Sequence, residues 1–89
     1  IIDSFANSSY AQATHISIDV ENTTLKEVFR EIERNSEFVI FYLEEDVDSN
    51  RKVSLKVKNQ TVDKVLDKVL AKTNNSYLID DKQIFITKG

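Results

Sequence analysis

One histidine, His15, is present in the 89 residues, and there is no cysteine. A disulfide scaffold, a thiolate zinc site and a cysteine nucleophile are therefore excluded. Any metal site would have to rest on carboxylates. Serine-histidine-acid chemistry would need His15 oriented by an acid and set beside a nucleophile. No short motif supplies either, and His15 reads as a surface residue. The densest group of carboxylates is Glu44, Glu45, Asp46 and Asp48. A calcium loop of the EF-hand kind needs a central glycine and a glutamate at its twelfth position. Neither is present, so this segment reads as a solvated loop. The sole glycine is the last residue, Gly89, which rules out a glycine-rich phosphate loop. We expect no catalytic residue, no metal and no cofactor: the chain does not read as an enzyme.

With chemistry unsupported, binding becomes the question. The chain is 40% hydrophobic and 30% charged, ordinary for a globular domain, and its length points to one domain. No run approaches the roughly 20 apolar residues of a membrane helix. Net charge is −3, which disfavours nucleic acid as a partner. The charge is uneven. Residues 14–50 hold ten acidic and three basic residues, and residues 51–89 hold four acidic and nine basic. Either these charges solvate the surface, or they form a dipolar surface that orients a protein partner.

Two amphipathic helices are predicted. Thr24 and Glu27 make a capping box, followed by apolar Leu25, Val28, Phe29 and Ile32, so a helix is expected over 24–35. The second starts at Thr61 as N-cap, with Asp63 in its first turn and an apolar stripe of Val62, Val65, Leu66, Val69 and Leu70. Asn74-Asn75 is expected to end it. Strands surround both helices. His15–Val20 and Val53–Lys58 alternate with period two. Glu37–Leu43 is a continuous apolar run, as expected of a strand covered on both faces or lying at an interface. Tyr77–Ile79 and Gln83–Thr87 flank Asp80-Asp81-Lys82, a tight hairpin. The order is β-α-β-β-α-β-β, with Glu44–Asn50 as the loop between halves.

A shift of 37 residues lays Ile16–Leu25 on Val53–Val62, with Ser, Val, Asn and Thr recurring identically. Asn22 and Asn59 are read as turn residues ahead of the helix caps. The fold class is α+β, built from duplicated β-α-β units, because one half alone cannot bury its apolar stripe. The same element order occurs in RNA-recognition domains, which stack bases on aromatic residues of the third strand. Here that strand reads VSLKVK, without an aromatic residue, so RNA is not expected. Residues 1–13 (IIDSFANSSYAQA) carry no periodic pattern. They are expected to be a disordered arm or, from Ala11-Gln12-Ala13, the remnant of a secretory signal. Residues 14–89 are the expected domain.

The segments ISIDVENTTLKEVFREIERNSEFVIFY and VSLKVKNQTVDKVLDKVLAKTNNSYLIDDKQIFITK resemble the STN domain, the short N-terminal domain of secretins and TonB-dependent receptors. They span nearly all of 16–88, and the second is the more specific. The lysine- and asparagine-rich style is most similar to SusC-type receptors of Bacteroidetes. One departure is Asn75, where many members carry glycine after the second helix. The resemblance implies two side-by-side helices held between two small sheets, on the periplasmic side of the outer membrane and ahead of a receptor's plug and barrel. It implies a protein partner, the periplasmic part of an inner-membrane anti-sigma regulator, contacted to couple uptake to transcription. An alternative is a structural domain of a secretin-like assembly. Partner-binding candidates are Arg30, Glu31 and Arg34 on the first helix, and Ile84 and Ile86 on the last strand if that strand is an edge. Their other readings are solvated charge for the helix and core packing for the strand.

Overall fold

The computed structural model of the protein describes residues 6–89. Eight elements follow in order: α1 (Ala6–Ala13), β1 (His15–Thr24), α2 (Leu25–Arg34), β2 (Val39–Phe41), β3 (Lys52–Thr61), α3 (Val62–Leu70), β4 (Asn75–Asp80) and β5 (Gln83–Lys88). They form an α+β fold with two small sheets. One pairs β1 with β3; the other has the order β2-β5-β4. No helix among the described residues is long and apolar enough to cross a membrane.

Both expected helices form, and the first has the expected cap. Thr24 is extended (φ −93°, ψ 156°), and its hydroxyl accepts the Glu27 N–H at 3.2 Å. Leu25, Val28, Phe29 and Ile32 are buried. At the other end, the side chains of Asn35 and Ser36 donate to the Glu31 and Ile32 carbonyls. Those bonds satisfy carbonyls that a helix end would otherwise leave unpaired. α3 buries Val62, Val65, Leu66, Val69 and Leu70. Its cap residue, Thr61, has the extended conformation of an N-cap but makes no side-chain cap bond. The Thr61 hydroxyl is buried without a partner. The second helix also ends earlier than expected. It stops at Leu70, whose carbonyl accepts from the Thr73 backbone and hydroxyl. Asn75, not a C-cap, opens β4, and its amide donates to the Asp46 and Thr87 carbonyls.

β1 and β3 run antiparallel with irregular register near Asn22 and between Ile16 and Ile18. Asn22 and Asn59 have positive φ (52° and 54°), a region asparagine tolerates better than most residues. Each backbone N–H donates to a serine hydroxyl on the opposite strand at 2.9 Å: Asn22 to Ser54 and Asn59 to Ser17. Each helix then begins with a second long-range bond. The Leu25 N–H donates to the Arg51 carbonyl at 2.8 Å, and the Val62 N–H donates to the Thr14 carbonyl at 3.2 Å. In both pairs of bonds the partners are related by the 37-residue shift. The Glu44–Asn50 segment is correspondingly more than a solvated loop. Val47 and Ser49 are buried, and the Ser49 carbonyl accepts the Lys26 N–H.

The second sheet departs most from expectation. The apolar run Glu37–Leu43 yields only three strand residues, Val39–Phe41, which alternate exposed, buried, exposed. β2 pairs in parallel with β5, and β4 pairs antiparallel with β5 through a turn with positive φ at Asp81. The interior is one cluster shared by all three helices and both sheets, with Leu25, Ile32, Phe38, Leu66 and Ile84 among its fully buried members. α1 corrects the expected arm. Residues 6–13 are helical and pack on α3, β3 and β4, with Ala11 fully buried and the Tyr10 ring 4.9 Å from Phe38. Tyr10 and Ala11 cover apolar surface that would otherwise face water, which is why this segment belongs to the fold. Residues 1–5 of the expected arm lie outside the described residues.

Two stability tests follow. The Thr24→Val variant loses a cap bond and should cost about 1 kcal/mol in a urea titration. Thr61→Val loses no bond and removes an unpaired hydroxyl, so it should be neutral or slightly stabilising. Tyr77 supplies the second. Its hydroxyl donates to Asp67 Oδ1 at 2.7 Å. Burial, then that bond and the Asp67 charge, push the phenol well above its ordinary value. In the unfolded chain the phenol ionises from about pH 10. The folded chain keeps the proton, so unfolding releases it and stability falls as pH rises above that point. In melts across this range, Tyr77→Phe should lose stability less steeply than the parent.

Candidate docking surface

The five residues expected to touch a partner separate into two groups with different fates. Arg30, Glu31 and Arg34 sit on α2, with both arginines exposed and Glu31 half-buried. They pair among themselves and their helix neighbour. Arg34 bonds to Glu27 at 3.1 Å and to Glu31, and Arg30 lies 3.7 Å from Glu27. The Arg34 guanidinium is held above its ordinary value, chiefly by its hydrogen bond to Glu27. These contacts pair the charges of Glu27, Arg30, Glu31 and Arg34 with one another. Surface pairs of this kind contribute little individually.

Ile84 and Ile86 are not at an edge. β5 is the central strand of its sheet, flanked by β2 and β4, and both isoleucines are buried at 0% and 4% exposure. The assignment of the last strand to an edge fails because β2 returns from α2 to pair on its far side in parallel. Sequence order alone shows only the β4–β5 hairpin. The two isoleucines are core residues beneath the surface that matters.

That surface is the outward face of the same sheet. Val39, Phe41, Leu43 and Leu78 are large apolar residues left exposed, Leu78 at 63% and Phe41 at 43%. The register places Phe41 opposite Phe85 and Phe85 opposite Leu78. One apolar row therefore crosses all three strands. The Phe41 and Phe85 rings stack at 5.3 Å with planes 19° apart. An apolar row facing water on a sheet is the kind of feature that marks an interaction site. Aromatic rings supply most of the area such contacts bury. A shallow depression beside the row is lined by Tyr42, Leu43, Phe85 and Thr87.

The sheet's two rims differ. The outward N–H of β2 belongs to Ile40, and it donates to the Glu33 carboxylate of α2 at 2.8 Å. That bond occupies the outward donor of β2. β4 has no strand beyond it. Its two-residue loop makes Asp80 and Gln83 a hydrogen-bonded pair. Alternation then turns the N–H and C=O groups of Tyr77 and Ile79 to the outer rim.

The apolar row was hidden in the sequence by its own surroundings. In Phe38-Val39-Ile40-Phe41 both faces of the strand are apolar, so alternation gives no sign of which face meets water. Only the alternative of an interface, weighed for this run, pointed to it. His15 is exposed, with Nδ1 3.2 Å from the Ala13 carbonyl. Among the described residues, no three His, Asp or Glu side chains gather as a metal site would require.

The family model described as the secretin and TonB N terminus short domain matches residues 38–88, more than half of the chain. No curated protein matches it. The matched span runs from β2 through β5 and so contains the entire three-stranded sheet, the apolar row and both rims. The chain belongs to the STN family, the short domain found at the N-termini of secretins and TonB-dependent receptors.

Proposed function

We propose that the chain is the periplasmic signalling domain of an outer-membrane TonB-dependent receptor, of the SusC type. Its role is to bind the periplasmic part of an inner-membrane anti-sigma regulator and so couple nutrient uptake to transcription. The work is done by binding, without catalysis, metal or cofactor. Membership of the family supports the receptor setting. The observation that carries the docking role is the exposed row Phe41–Phe85–Leu78 on the outer face of the three-stranded sheet. A folded domain that keeps such a row in water gains free energy when a partner covers it. The paired charges of α2 offer no comparable gain.

The test uses the purified chain and the periplasmic region of the anti-sigma regulator encoded beside its receptor. Calorimetry should give a Kd below about 100 μM, the range of transient signalling contacts. Phe41→Ser and Leu78→Ser should each weaken it by about tenfold or more, while melting temperatures stay close to the parent's, because both residues face water. Arg30→Ala and Arg34→Ala should change it by less than about threefold. No binding at 100 μM by the parent chain, on the order of the weakest useful affinity, would reject the reading.

A further inference from the structure

The uneven charge of the sequence has a location. A groove of about 530 Å³ runs between β3 and the C-terminal end of α3. One wall is the six consecutive residues 51–56; the other is Lys68, Val69, Ala71 and Lys72. Five of the lining side chains are cations, namely Arg51, Lys52, Lys56, Lys68 and Lys72, and none is an acid. All five are exposed. The ion pairs among the described residues use Arg30, Arg34 and Lys82, so no salt bridge neutralises the five. This is a concentrated positive field on a chain whose net charge is −3.

The shape of the groove narrows the ligand. Successive residues of a strand point to opposite faces. A groove lined by six in a row therefore follows the backbone rim of β3 and not one of its faces. β3 has β1 on one side and no strand on the other. Half-buried Val53, with the largely buried Leu55 and Val69, forms the apolar floor between the cations. An unpaired rim, apolar ground and flanking positive charge fit an extended peptide whose side chains alternate acidic and apolar. There is no aromatic ring in the groove on which a nucleic-acid base would stack.

We infer that this groove binds an extended acidic segment of a partner protein, laid along β3 as an added strand. It lies on the other sheet from the Phe41–Phe85–Leu78 row, so the two surfaces are separate.

The experiment is amide chemical-shift mapping of the isotopically labelled chain with a ten-residue peptide of alternating Glu and Val. The expected result is saturable shifts concentrated at residues 51–56 and 68–72, with affinity falling as salt is raised. A peptide with Gln in place of Glu should bind about tenfold more weakly or worse, as should the K52E/K56E variant. N-methylation of alternate peptide amides, which removes the donors of one rim without touching the protein, should abolish binding. Equal binding of the Gln peptide, or indifference to N-methylation, would overturn the inference. So would single-stranded DNA or anionic phospholipid vesicles displacing the peptide from these residues at lower concentration. The F41S and L78S variants should bind the peptide normally, which separates a failure here from a failure of the regulator-binding role.

Discussion

Two small helices can stand on two narrow sheets only if the first N–H groups of each helix find acceptors. A helix leaves those donors without intrahelical partners, and burying one unpaired is expensive. In this protein the acceptors come from distant chain. Arg51 and Ser49 supply carbonyls to the start of α2, and Thr14 supplies one to α3. The same two regions fix the β1–β3 ladder through the exchange of Asn22 and Asn59 N–H groups for Ser54 and Ser17 hydroxyls. Each half is therefore held in place by the other. In the folded chain these polar bonds fix how each helix leaves its strand, and the shared apolar cluster closes beneath them. Both asparagines accept a backbone region that a β-branched residue would resist.

How much of this could be read beforehand depended on distance along the chain. The helices are local objects, and their caps and stripes were legible to within a residue at their starts. The 37-residue correspondence was legible too, because serine, asparagine and threonine recur in step. Partnering of strands was not. Nothing in Val39–Phe41 announces a parallel neighbour more than forty residues later, so sequence order alone leaves the last strand at an edge, with Ile84 and Ile86 free for contact. The end of α3 was misplaced for a similar reason. Thr73 terminates it by a hydroxyl bond, while Asn75 is drawn into β4 by carbonyls of Asp46 and Thr87 that only the folded chain brings near. α1 is illegible in the sequence because a helix of small polar residues shows no stripe; among its described side chains Ala11 is buried and Tyr10 packs on Phe38.

The surface divides by chemistry as well as by place. The three-stranded sheet shows an apolar row, α2 shows paired charges, and the β3 rim shows unpaired cations. A domain of this size has room for a single core, so recognition has to be written on its outside. Apolar area contributes affinity, whereas a cationic rim mainly steers approach and selects among partners. Carrying both on opposite sheets lets strength and choice be tuned separately by substitution.

Glu33 gives the outer sheet a polarity of growth. It occupies the outward Ile40 donor of β2, whereas β4 has no strand beyond it. Strand-by-strand polymerisation needs an acceptor at both ends of every unit, since each copy must give one rim and receive at the other. Addition of a strand to this sheet is thereby directed to the β4 side, away from α2.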